Sequence, residues 1–399
     1  MWVRALVVAV VALSCANADT VRNPTKKPGS GPLFQIRRGM WGFMDRTGRV
    51  VIKPAFLNER DFFHGLAAVE WPDGKWGYIN ERGKFAIPAR FDEARDFIDD
   101  LAPVRIERKW GYIDTAGHVV IEPRFRAAGE FHDGLARIYV WSTTRCDQGV
   151  FTSENAPWYA FRFWEDSGLD SGGCFANEGR FGYIDKSGKV VMEPRFIVAK
   201  DFSEGMAVVR IDISSSCNFG YVDRTGRIAI ALRFCQAGPF SEGLAAVETS
   251  AGGFGRKVVD IAWGFIDKTG ALSIPDKYRL AGDFSEGLAR VEVGSGAMGY
   301  VDRSGAVAVP ARFSEAWDFS DGLAVVCDDD CVYIDHSGSP VPALSKMDAS
   351  WPFSDGLAVL GIMPPQAYID KRGRVIAPYD DGPPYPQGHA TLSTAMTLQ

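Results

Sequence analysis

The chain has 399 residues, 46% of them hydrophobic and 24% charged, with a formal charge of −6 at pH 7. That length and apolar content are enough to bury a large core. An acidic balance without a basic run leaves nothing to neutralise a phosphate backbone, which excludes nucleic acid as a partner.

The first residues read as an export signal. Arg4 gives a positive start, Ala5 to Leu13 form a short apolar run, and Ala16-Asn17-Ala18 offer a small-x-small cleavage site before Asp19. The run is too short to cross a bilayer, and no later segment replaces it, so the mature chain is expected to carry no transmembrane span. Cys15 raises a rival, a lipoprotein anchored through that cysteine. Residues 1–18 are thus read as a signal peptide and 19–32 as a Pro/Lys/Gly linker.

From residue 33 a phrase returns nine times. Trp41-Gly42-Phe43-Met44-Asp45-Arg46-Thr47-Gly48 comes first, then copies begin at Trp76, Trp110, Phe181, Phe219, Trp263 and Met298, with faded ones at Cys331 and Gln366. Clean copies lie 34 or 35 residues apart, a period that marks one supersecondary unit stacked many times. The aromatic-glycine segment is strand A. Asp-x-x-Gly, as in Asp267-Lys268-Thr269-Gly270, fits a type I turn closed by a left-handed glycine. An apolar run follows as strand B, which is expected to end at proline (Pro54, Pro88, Pro123, Pro194, Pro275, Pro310) because proline lacks the ladder donor. An irregular stretch with Arg-Phe comes next. Asp-Phe-Ser-Glu-Gly then leads into strand C, for example Gly65-Leu66-Ala67-Ala68-Val69. Strand C turns into the next strand A through short polar turns such as Pro72-Asp73-Gly74-Lys75. The unit is therefore a three-stranded C–A–B meander, repeated nine times over residues 33–379. Residues on both faces of strand A are apolar or small, so both faces must be covered, as in stacked sheets.

The period breaks most widely between Trp110 and Phe181. The insertion at 141–180 carries Trp141, Phe151, Trp158, Tyr159, Phe161, Phe163 and Trp164, which read either as a grip for a partner protein or sugar or as a cover folded back on the array. Removing Cys15 with the signal leaves six cysteines in neighbouring twos: Cys146 and Cys174, Cys217 and Cys235, Cys327 and Cys331. An even count in an exported chain suggests local disulfides, with buried free thiols as the alternative. Ser250 to Ile261 is a smaller Gly-rich insertion, and 380–399 reads as a flexible tail.

These residues resemble the bacterial WG-repeat (KWG-repeat) family. Lys75-Trp76-Gly77-Tyr78-Ile79 and Lys109-Trp110-Gly111-Tyr112-Ile113-Asp114 are close to its signature, and the likeness covers nearly all of the mature chain. The resemblance implies a β-rich tandem-repeat structure and transfers no catalytic site. The fold expected is all-β and β-propeller-like, with an open β-solenoid array as the alternative, since nine units exceed the usual four to eight blades.

The five histidines have no metal spacing, and no nucleophile elbow or phosphate loop is present. No catalytic residue, cofactor or resident metal is therefore expected, although Cys327-Asp-Asp-Asp-Cys331 has oxygens of a kind that suits calcium. Carboxylates recur once per repeat at Asp133, Glu204, Glu242, Glu286, Asp321 and Asp355. They would form either an acidic binding rim or solvated turn acids paired with a nearby arginine. The repeated Arg90, Arg124, Arg195, Arg233 and Arg312 are expected to bridge a neighbour's carboxylate. The function expected is a non-enzymatic, monomeric scaffold in the periplasm or outside the cell, binding a protein or glycan. An exported enzyme acting on polysaccharide or peptidoglycan and a purely structural envelope protein are the alternatives.

Overall fold

A computed structural model of the chain describes residues 32–141, 179–212, 217–250, 262–294, 296–344, 351–360 and 367–377. Among them there is no α-helix, only a 3-10 turn at Pro342–Leu344 and nine small antiparallel sheets. The sheets stand in a closed ring, a nine-bladed β-propeller. The open solenoid weighed from the sequence is not what forms.

Eight of the nine sheets contain the expected meander; sheet 8 has a short leading strand, C and A but, among the described residues, no strand B. In sheet 1, β1 (Phe34–Arg38), β2 (Met40–Met44) and β3 (Val50–Phe56) are strands C, A and B. Sheet 2 adds a short strand before them: β4 (Asn58–Glu59), then β5 (Leu66–Glu70), β6 (Trp76–Asn80) and β7 (Phe85–Phe91). The same four-strand order fills sheets 3 to 7, spanning 93–125, 127–196, 198–234, 236–278 and 280–313. Sheets 8 (315–334) and 9 (357–376) have three strands each.

The added strand is the inner one. Sheets arranged radially crowd at the axis and splay outside, so small residues belong within and long strands without. The short strands accordingly bury Ala94, Ala199, Ala237, Ala281 and Ala316. The seven-residue strand B forms the outer edge, and its first residue is exposed at Phe85, Val119, Ile228, Leu272 and Val307.

Strand B does not stop at its proline. Trp76 pairs with Phe91 and Tyr78 with Ile87, so four steps on β7 face two on β6, and Pro88 lies inside that bulge. On an outer edge the missing N–H has no partner to lose. The bulge explains the glycine of the phrase. A Cβ on Gly77 would stand 2.7 Å from the backbone of Ala89, and one on Gly111 would stand 2.5 Å from the Ile121 carbonyl. Strand A needs glycine wherever strand B swings across it.

The turn between A and B forms as expected. In sheet 5 the Gly226 N–H donates to the Asp223 carbonyl at 3.0 Å, Gly226 has φ 86°, and the Asp223 carboxylate accepts from the Thr225 hydroxyl at 2.6 Å. That hydroxyl, above all, holds Asp223 below the usual carboxylate range. The Glu-Gly before strand C makes a two-residue hairpin turn. Glu204 (φ 54°) and Gly205 (φ 83°) are both left-handed, and Ser203 and Met206 exchange backbone bonds across them.

Large side chains fill the wedges between sheets. Tyr78, Tyr112, Tyr183, Tyr221, Tyr300 and Tyr333 are all buried. Each packs on the phenylalanine of the next inner segment, as Tyr112 does on Phe131 at 4.8 Å between ring centroids. Each hydroxyl donates to a carbonyl in the next sheet, from Tyr78 to Arg95 (2.6 Å) through Tyr300 to Trp317 (2.6 Å). The ring closes in the same way. Tyr368 in sheet 9 donates to Gln35 in sheet 1 at 2.7 Å, and Phe34, Ile36 and Met44 share one core with Leu357 and Tyr368.

Candidate functional site at the rim and the axis

Two recurring sets of charges were candidates for binding, and the structure separates their roles. On the rim, each hairpin carboxylate accepts the glycine N–H of the following sheet: Asp133 from Gly205 (2.7 Å), Glu204 from Gly243 (3.0 Å), Glu242 from Gly287 (3.0 Å) and Glu286 from Gly322 (2.9 Å). A base from that following sheet completes several clasps. Lys268 Nζ lies 3.4 Å from Glu204, His336 Nε2 lies 3.3 Å from Glu286 and Lys371 Nζ lies 2.9 Å from Asp321. These acids thus hold sheet to sheet, through backbone amides that sequence reasoning did not include.

The repeated arginines also join sheets, but not by the bond expected. Arg90, Arg124, Arg195, Arg233 and Arg312 donate to the turn carbonyls of Gly117, Gly188, Gly226, Gly270 and Gly338 at 2.6–3.0 Å. Each guanidinium also lies over the phenylalanine that follows it, as Arg233 does over Phe234 at 5.2 Å. The partner is a carbonyl rather than a carboxylate. The turn glycine offers its carbonyl to the arginine, as Gly270 does to Arg233, while the rim acids accept the glycine N–H of the following sheet.

At the axis the charges are irregular. The acid of Asp-Phe-Ser-Glu-Gly follows the inner strand at Asp61, Asp96, Asp201, Asp283 and Asp318, with Glu130 in sheet 4. Arg60 lies 3.6 Å from Asp96, Arg137 3.0 Å from Asp201 and Arg290 3.2 Å from Asp318, each pair crossing between neighbouring sheets. Arg95 is buried, lies 4.6 Å over Trp110 and donates to the Ala128 carbonyl at 3.3 Å. Beside Arg95 and Arg137 a cavity of about 10 Å³ has room for one water.

Two axial carboxyls depart from ordinary behaviour. Burial, followed by the charges of Asp61 and Asp96, pushes Glu59 up to about 9. Burial likewise raises Asp96 to about 7, with the Arg60 guanidinium opposing it. One oxygen of each, Oε2 of Glu59 and Oδ1 of Asp96, is buried without a hydrogen-bond partner. Among the described residues no group of three or more metal-ligating side chains comes together.

The insertion gives less. Trp141 ends its strand with its backbone opposite Gly179. Phe151, Trp158, Tyr159, Phe161, Phe163 and Trp164 lie outside the described residues, as do Cys146, Cys174, the leader and the tail. The other four cysteines form the two local disulfides expected, Cys217–Cys235 and Cys327–Cys331. The second ties residues directly opposite each other on adjacent strands. No helix among the described residues is long and apolar enough to cross a membrane.

Sequence reasoning missed the axial carboxyls. The signal was present: six inner strands carry alanine where β4 carries Glu59.

Comparison with known proteins agrees with the repeat architecture. The family model described as a WG containing repeat matches residues 41–75, 76–110, 110–140, 181–212, 219–250, 263–295 and 298–330. No curated protein sequence matches significantly. Among solved structures, a computationally designed protein, Ika8, is similar at 11% identity and TM-score 0.39, covering 79% of this chain and 93% of its own. A eukaryotic initiation factor is similar at 9% identity and TM-score 0.45, covering 82% and 91%. BamB from Moraxella catarrhalis is similar at 11% identity and TM-score 0.33, covering 69% and 80%.

Proposed function

This chain belongs to the family of WG-containing repeat proteins, and from that premise we propose that it is an exported, non-enzymatic interaction scaffold of the bacterial envelope. Its work is rigid display. Nine sheets clasped to one another hold whatever does not repeat in a fixed place for a protein or glycan partner.

The observation that carries this reading is the use of the recurring charges. The rim acids accept glycine amides of the next sheet, and the outer arginines donate to its turn carbonyls. Groups tied into the frame in this way are poorly placed to move protons or attack a substrate. Individual function is left to what breaks the period, chiefly the insertion at 141–180 and the axial charges. Export is supported by the leader with its Ala16-Asn17-Ala18 site, or Cys15 if the chain is lipid-anchored. The disulfides Cys217–Cys235 and Cys327–Cys331 also favour an oxidising compartment.

Affinity capture from the native envelope tests the reading, with the intact mature protein compared with a variant lacking residues 147–173. The intact protein is expected to retain a partner that the shortened one loses. Equal capture by both removes the insertion from the account.

A further inference from the structure

In seven sheets an inner strand covers the axial edge of strand C. Arg60 N–H donates to the Ala68 carbonyl at 2.9 Å, Lys200 to Val208 at 3.0 Å and Gly282 to Arg290 at 3.0 Å. Sheet 1 has no such strand among the described residues, and β1 is its edge. Gln35 takes the place of Ala68: it pairs with Phe43 as Ala68 pairs with Tyr78. Its carbonyl receives the Tyr368 hydroxyl, where in other sheets it would receive an inner-strand amide. An open strand edge pairs readily with another extended chain.

The chemistry beside that edge is also singular. Glu59 pairs with Val69, the register held by Ala94, Ala128, Ala199, Ala237, Ala281 and Ala316 in the six sheets that follow. Among the described inner strands, only that of sheet 2 holds a long acid in this place. One of its oxygens faces the Gln35 side chain, which also donates to Asp61 at 3.0 Å, and the other is buried with no partner. Ionised, a carboxyl so placed needs a cation beside it. The repeat itself shows where one would come from, because Arg60, next along the inner segment of sheet 2, meets Asp96 of sheet 3. A strand added to sheet 1 would set its own corresponding side chain against sheet 2, where Asp61 stands.

We propose that the axial edge of β1 is a strand-acceptor site for an extended peptide carrying one lysine or arginine. The peptide backbone pairs along Gln35 to Arg37, and its cation meets Glu59 and Asp61. This rests on the binding reading above but uses no part of the insertion, so the two fail separately: deleting 147–173 tests one and leaves the other intact.

The groups facing Glu59 are Gln35, Asp61, Asp96, Arg60 and the Tyr368 hydroxyl. In the empty site they keep its carboxyl protonated to about pH 9. A bound cation favours the ionised form, so binding releases a proton and tightens as pH rises.

The probe is an acetylated, amidated heptapeptide of alternating threonine and valine with one central lysine, offered to the full mature protein and followed by calorimetry and by amide exchange in residues 34–38. A second peptide carries glutamine in place of the lysine. The lysine peptide is expected to bind at least tenfold more tightly, to slow exchange in β1, and to gain up to about tenfold in affinity per pH unit between pH 6 and 8. Glu59→Ala, which installs the residue that six other sheets carry, should abolish the preference for lysine. Equal binding of the two peptides, binding by neither, unchanged exchange in β1, or a preference that survives in Glu59→Ala would each overturn the proposal.

Discussion

The hydroxyl of Tyr368, in the last sheet, donates to the carbonyl of Gln35, in the first, across 2.7 Å and 333 residues of sequence. Among the described residues no strand from one end of the chain enters a sheet of the other, and this bond and the shared core of Phe34, Met44 and Leu357 join the two sides of the seam. Tyr368→Phe is expected to lower stability by about 1 kcal/mol, read by thermal or denaturant unfolding. The converse change tests the same relationship. Phe265 stands where most sheets have tyrosine, already packs on Phe284 at 4.9 Å, and lacks only the hydroxyl. Phe265→Tyr should gain a comparable amount by donating to the Gly282 carbonyl.

Gly77→Ala should be much more damaging than its single methyl suggests. The new Cβ would lie 2.7 Å from backbone atoms of Ala89, which cannot move without opening the bulge. A loss of about 1–3 kcal/mol is expected, measured by urea unfolding. A neutral result would mean that strand B yields easily and that the glycine of the phrase is not required by close approach.

Arg233 joins sheet 5 to sheet 6 through the Gly270 carbonyl at 2.8 Å while covering Phe234. Arg233→Ala removes both contacts and should cost about 1–3 kcal/mol, since the bond is made by a charged donor. Arg233→Lys should recover part of it, because Lys277 already lies over Tyr278 at 5.3 Å in the equivalent place of sheet 6. Unfolding curves of the two variants, compared side by side, check the order.

Half-buried Glu59 makes stability depend on pH. Its folded value, about 9, lies above the ordinary 4.5, so the folded state holds a proton that the unfolded chain releases. The stabilisation is full below about 4.5, falls as pH rises between the two values, and levels off above about 9. Glu59→Gln removes this slope. Relative to wild type it should gain up to about 1.4 kcal/mol per pH unit across the window, and parallel curves from pH 5 to pH 9 would contradict the assignment.

A disulfide constrains the unfolded chain more when it closes a longer loop. Cys217–Cys235 spans 18 residues and Cys327–Cys331 spans 4. By loop entropy alone, removing the first should cost about 3 kcal/mol and removing the second about 2. A peptide map without reductant checks both bonds and the remaining one expected from the sequence; Cys146 joined to anything but Cys174 rules that pairing out.

The meander and its turns were legible because each has a local cause: Asp-x-x-Gly fixes the A–B turn, and Pro72-Asp73-Gly74-Lys75 turns strand C into strand A. The inner strand was not legible. Two residues such as Glu93–Ala94 are too few to show a period, and the register that makes them a strand is set by their neighbour. The proline signal was misread for a related reason, since a bulge at Pro88 depends on Gly77 leaving room beneath it. The outer arginines were correctly placed as links between repeats. Their acceptor, a turn carbonyl, leaves no trace in side-chain composition. Glu59 stood out only by comparison with Ala94, Ala199 and their counterparts, because a single acid in a polar stretch carries no period of its own.

Among the described residues every sheet is drawn from its own stretch of chain, and the first and last meet through the Tyr368 hydroxyl on the Gln35 carbonyl, a shared core and the close approach of Gly48 to Ala377. A polypeptide made from its N-terminus can therefore finish eight sheets, each against the one before, while the ring is still open. The closing step waits for Leu357 and Tyr368, which are made after those eight sheets. Loss of the ninth sheet from Leu357 onward would then leave a broken circle of well-formed sheets with Gln35 and Met44 bare at one end, and such an arc is prone to take up a second chain where its own should have returned.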